Sequence, residues 1–133
     1  MDTTPQTPAS LGSIQRVKNL LIDNQLFQST QEGLVAHAGG GQAGATPIVS
    51  MCARFTVVAT TLDSAILPPA MPGLEITVIN ATPAANLTSL NIYPDVGSSI
   101  NVGAANAPFA LAGTKTVIFF TTAAGSWHSI LSA

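Results

Sequence analysis

Charge is what this chain has least of. Charged residues make up 8% of its 133 positions, against about 25% in an average protein. After Gly33 the only charged residues are Arg54, Asp63, Glu75, Asp95 and Lys115. No run or cluster of lysine and arginine exists, so the phosphate-neutralising patch that nucleic-acid binding needs is missing. One cysteine, Cys52, excludes an internal disulfide scaffold. Its apolar context reads as a small core residue. No run of about 18 uninterrupted apolar residues offers a membrane-crossing helix. Met1-Asp2-Thr3-Thr4-Pro5 lacks the positive and apolar regions of a signal peptide, so secretion by that route is not expected. Asn80-Ala81-Thr82 and Asn86-Leu87-Thr88 then read as chance sequons at turns.

Chemistry-bearing residues are equally scarce. Two histidines, His37 and His128, and scattered acids give no ligand set for zinc. Asp63 and Asp95 sit among turn formers, where an acid more often bonds its own backbone than works as half of a catalytic pair. No Gly-x-Ser-x-Gly elbow occurs. The glycine-rich Gly39-Gly40-Gly41-Gln42-Ala43-Gly44 has no lysine after it, and Pro47 rather than a helix follows, so neither phosphate-cradling pattern fits. Its glycines read as positive-φ positions or sites of close backbone approach. The expectation is a protein that is not an enzyme and holds neither cofactor nor metal. Trp127 and His128 form the one polar–aromatic pair that hints at a sugar, and they stand as candidate ligand-facing residues.

What is present is β patterning. Leu74-Glu75-Ile76-Thr77-Val78 alternates apolar with polar, the period of a half-buried strand. Leu90 to Tyr93, Ile100 to Val102, Thr116 to Thr121 and Trp127 to Leu131 continue the series, with Leu34 to His37, Ile48 to Thr60 and Ser64 to Leu67 before it. Thr82-Pro83, Asp95 to Ser99, Ala112-Gly113 and Ala124-Gly125 punctuate it with turns. Thr116 to Phe120 carries bulky residues on both faces, which suits an inner strand or one facing another subunit. Trp127 is expected to plug one end of the core. The pattern predicts an all-β protein: an antiparallel β-sandwich or jelly roll of about eight strands over residues 25–133. A closed barrel is the alternative.

Residues 1–24 read differently. Pro5 and Pro8 mark an extended arm. Ser13 then caps a short predicted helix with Ile14, Val17, Leu20 and Leu21 at helical spacing and Arg16, Lys18 and Asp23 between them. Three turns alone in water are marginal, so the helix must dock on the β domain, a neighbouring copy or a partner. Ile14, Arg16, Val17, Lys18 and Leu21 are therefore candidate contact residues. The charge-poor remainder predicts a surface of Ser, Thr, Ala, Asn and Gly that is covered by assembly. A secreted or extremophile domain tolerant of low charge is the plainer alternative.

The succession Ala36-His37-Ala38-Gly39-Gly40-Gly41-Gln42-Ala43, Thr60 to Pro68, Gly73 to Asn80, Leu90-Asn91-Ile92-Tyr93-Pro94, Ile100-Asn101, Ala105-Asn106-Ala107 and Trp127 resembles small β-rich virion proteins of tailed bacteriophages. It covers about residues 34–131. The resemblance implies a capsid decoration (cement) protein made in the bacterial host cytoplasm. Such a protein forms a homotrimer and bridges major capsid protein subunits on the virion surface, with no nucleic acid or membrane as partner. A fibre- or spike-tip module that binds receptor or sugar is the alternative function.

Overall fold

The computed structural model describes residues 27–133. The expected arm and helix, with Ile14, Arg16, Val17, Lys18 and Leu21, lie outside the described residues. The first half of the described chain alternates between two sheets. Strands β1 (Thr30–Val35), β3 (Cys52–Val57) and β5 (Glu75–Asn80) lie side by side in the first sheet. The intervening β2 (Thr46–Pro47), β4 (Ser64–Ile66) and β6 (Ser89–Tyr93) lie side by side in the second. Each return to a sheet is parallel to the previous one, with Thr30, Cys52 and Thr77 in register in the first sheet and Thr46, Ala65 and Ile92 in the second. The path is a flattened coil of three turns. Parallel neighbours need a crossover, and here the opposite sheet supplies it.

The second half closes that coil. From β7 (Ser99–Ile100) the chain passes to β8 (Phe109–Ala112), β9 (Thr116–Ala123) and β10 (Ser126–Leu131). Strand β8 pairs antiparallel to β6, β9 antiparallel to β5, and β10 antiparallel to β9, while β7 runs parallel to β10. The sheets read β1-β3-β5-β9-β10-β7 and β2-β4-β6-β8.

The all-β class stands, but the expected antiparallel arrangement of about eight strands is corrected. There are ten strands among the described residues, and five of their eight pairings are parallel. Side-chain alternation reports which face a residue occupies and carries no information on strand direction. The span Ile48 to Thr60 is not one strand. Val49, Ser50 and Met51 turn the chain from the second sheet to the first. Gln31 fastens that corner: its Oε1 accepts from Val49 N at 2.9 Å and Ser50 Oγ at 3.0 Å. At the Ile100 to Val102 run, Asn101 and Val102 leave the strand with φ of 53° and 62°. Strand β8 was not anticipated.

Inward side chains of both sheets meet in one core. Ala53, Phe55, Ile76, Val78, Val117, Phe119 and Trp127 come from the first sheet, and Ala65, Leu90, Ile92 and Leu111 from the second. Phe109 of β8 meets Phe119 of β9 edge-to-face at 5.5 Å, and Phe119 meets Trp127 of β10 at 6.4 Å. This aromatic chain crosses from one sheet to the other; each such pair contributes about 0.5–1.5 kcal/mol beyond area burial. Trp127 is fully buried, as expected of a core plug.

Both free edges of the first turn are poor templates for another strand. Strand β1 shifts register between Gln31 and Val35, around Gly33 at φ 72°. Strand β2 has two residues, and one of them, Pro47, has no N–H. Bulges, brevity and proline blunt an edge against further pairing.

Candidate interaction surface

The glycine-rich loop is a structural clasp. Gly39, Gly40, Gly41 and Gly44 all take positive φ. A Cβ on Gly40 would stand 2.4 Å from the carbonyl oxygen of Leu62, so the two backbones approach as only glycine permits. Gln42, at the loop's far side, donates from Nε2 to Pro94 O at 2.8 Å and to Asn106 Oδ1 at 3.3 Å. Asn106 Oδ1 also accepts from Gly97 N at 2.7 Å, and Asn106 N donates to Ser98 O. Residues scattered from 39 to 106 therefore meet at one cluster of loops, as ties between backbones. Asn101 adds another tie, bonding Ser129 through both ends of its amide. The role of Gln42 and Asn106 as fasteners was not legible in sequence, because each pairs with a residue far along the chain.

The acids are structural as well. Asp63 is buried and accepts from Ala59 N at 2.8 Å, Thr60 N at 3.1 Å and Thr60 Oγ1 at 2.7 Å. Burial opposes its ionisation. The hydrogen bonds from Thr60, Ala59 and Gly39 outweigh that and hold its carboxyl below the ordinary value. Asp95 Oδ1 accepts from Ala70 N and from the Trp127 indole N–H. The two acids share no hydrogen-bond partner. Among the described residues no group of three His, Cys, Asp or Glu comes together, and no pocket opens.

The structure separates the pair Trp127 and His128. Adjacent strand residues point to opposite faces. Trp127 enters the core with no exposed ring face, which removes it as a ligand-facing residue. His128 stands half-buried on the outer face, its ring 5.6 Å from that of Phe120. Asn80 of the first sequon is likewise fully buried, donating from Nδ2 to Leu111 O at 2.9 Å and accepting from Thr82.

The two sheets differ in what they turn outward. The outer face of the second sheet carries Ser89, Asn91, Tyr93, Ala110 and Ala112, mostly small or polar. The outer face of the first carries Cys52, Thr77, Ile118 and Ile130 in one cross-strand row. Ile79 lies beside Arg54 and Thr116 in the next row, and Phe120 lies between Glu75 and His128 in a third. Arg54 is paired with Glu32. Cys52 thus sits half-buried on this face and not in the core, because its neighbour Ala53 takes the inward position. The bulky residues on both faces of β9 are explained on one side by Val117 and Phe119, which fill the core. On the other side Ile118 and Phe120 are only half-buried.

The chain matches no protein-family profile, no curated protein and no solved structure.

Proposed function

We propose that the protein is a structural virion component. It is a capsid decoration, or cement, protein that binds the assembled head of a tailed phage and stabilises it by bridging capsid subunits. One observation carries this reading: the scarcity of charge on a surface that exposes large apolar side chains. Of the charged residues between 27 and 133, Asp63 is buried and Glu32 and Arg54 neutralise each other. Val49, Leu87, Val96 and Val102 are each more than three-quarters exposed. Such a surface gains free energy when copies or a shell cover it. The resemblance of the sequence to small β-rich virion proteins of tailed bacteriophages is the second support for this reading. Three copies around a threefold axis is the assembly this reading takes, closed symmetry being the rule for homo-oligomers.

The mechanism is mechanical. Each copy adds interface across neighbouring capsid subunits; a standard interface buries ~1,600 Å², and repetition over the shell multiplies it. The deciding experiment is copy number in purified virions, by quantitative mass spectrometry against the major capsid protein. Hundreds of copies in fixed ratio to capsid protein are expected. A few copies per particle would remove the decoration reading and move the protein to a tail, fibre or single vertex. The alternative reading is a receptor- or sugar-binding module; of the aromatic–polar pair that hints at a sugar, Trp127 is buried and His128 stands on the outer face beside Phe120.

A further inference from the structure

We propose that the free edge of β8 pairs antiparallel with β8 of a second copy, about a two-fold axis. The described residues carry four edge strands: β1 and β7 in the first sheet, β2 and β8 in the second. Three of them are guarded. Strand β1 shifts register around Gly33, and β2 has two residues, one of them Pro47. Strand β7 also has two residues. Beyond it Asn101 and Val102 turn away with positive φ, and Ser98 O just before it accepts from Asn106 N. Strand β8 has none of these devices. Phe109–Ala112 contains no charge and no proline, and it keeps unbroken register with β6 along all four residues. An unguarded apolar edge is a template for another strand.

The same comparison selects the occupant. A second copy offers the same four edges with the same three guarded, so β8 meets β8. A strand that meets itself antiparallel makes the isologous contact of a two-fold dimer. Side chains then fix the register. Directly opposed residues of an antiparallel pair lie on one face, so outward Ala110 must oppose an outward residue. The two registers of greatest overlap place the axis at Ala110 or at Leu111. An axis at Leu111 sets Phe109 against Gly113, where the chain has already turned away. A Cβ on Gly113 would stand 2.8 Å from Thr82 O, and Lys115 N donates to Ala112 O. An axis at Ala110 sets Phe109 against the second copy's Leu111 on the inner side, twice, and brings the two Ala110 side chains together outside. Phe109 is the half-buried rim of the core, packed on Phe119, and the second copy's Leu111 gives it cover. Ala110 is exposed and small, so nothing opposes the approach.

This pairing goes beyond the decoration reading and does not rest on it: a two-fold contact turns a monomer into a dimer and a trimer into a hexamer. Short strand pairs are marginal alone, so the doubling is expected at the upper end of a concentration series. Disulfide trapping in the full chain tests the register. Opposed Cα atoms lie about 4.5–5.5 Å apart, within the reach of a disulfide. Ala110→Cys, in a Cys52→Ser background that removes the native thiol, is expected to form a cross-linked dimer under mild oxidant. Ala112→Cys is the control on the same face; its two copies would stand about 14 Å apart along the pair, and it should cross-link at least 10-fold more slowly. Unshifted Trp127 emission verifies that each variant keeps its core. Equal rates at the two positions overturn the proposal. Ala110→Lys, which opposes two like charges at the axis, should abolish the doubling in sedimentation velocity. Association of Ala110→Lys at the native level overturns the proposal as well.

Discussion

Asn80 shows how one side chain joins the two sheets. It sits at the end of β5 in the first sheet and its amide reaches Leu111 O of β8 in the second, with Thr82 held on its oxygen. Removing a buried hydrogen-bonding group costs more than the bond is worth, because its partners stay desolvated. Asn80→Ala is expected to lower unfolding free energy by about 1–3 kcal/mol, and Asn80→Asp by more, since a carboxylate would face the Leu111 carbonyl. Chemical denaturation measures both. Asp63 gives a pH signature. Its folded-state pKa lies below the ordinary value, so the folded protein favours the carboxylate. That stabilisation is complete above the unfolded pKa of about 3.9 and is lost as pH falls through the lower folded value. In Asp63→Asn the acid limb of the stability–pH curve should flatten. An unchanged limb would mean other acids dominate it.

At the scale of elements, the glycine-rich loop and the Ala59 to Asp63 turn act as one unit. Gly40 rests on Leu62 O, Ser64 Oγ donates to Gly41 O at 2.8 Å, and Asp63 caps the turn beneath. Gly40→Ala combines a clash with a φ of 75° that a side chain rarely adopts. The backbone term alone is about 1–3 kcal/mol, and the loss should appear as a lower melting temperature. Among strands, β9 is the hinge between the two halves of the fold, pairing the last coil strand on one side and β10 on the other. Phe119 of β9 touches both Phe109 and Trp127. Phe119→Ala is expected to cost about 3–5 kcal/mol and to shift Trp127 emission to the red as its cover is lost.

At the scale of the molecule, the described residues form a three-turn coil closed on one side by antiparallel strands, and the first sheet turns more bulky apolar side chains outward than the second. Its edges at β1 and β2 are blunted against strand addition by register shifts, brevity and Pro47. Sedimentation equilibrium is expected to give three chains per particle under the decoration reading. A monomer at every concentration would remove the trimer.

Local patterning along the chain was enough for the all-β class and much of its turn punctuation. Alternation at Glu75 to Val78, Leu90 to Tyr93 and Thr116 to Thr121 places side chains on one face or the other through local geometry, so these strands were legible. The glycines of 39–44 and the turn role of Asp63 were legible for the same reason: backbone conformation and short-range hydrogen bonds are local. Tertiary structure alone decided strand direction, the split of Ile48 to Thr60 between two sheets, and the separation of Trp127 from His128 as partners at a surface. It also decided that Gln42 would meet Asn106, that Asn80 would meet Leu111, and that Cys52 would lie outside the core. Each of these depends on which distant segments pack together. A period-two pattern is identical for parallel and antiparallel neighbours, and a side-chain amide gives no sign of which remote carbonyl it will meet.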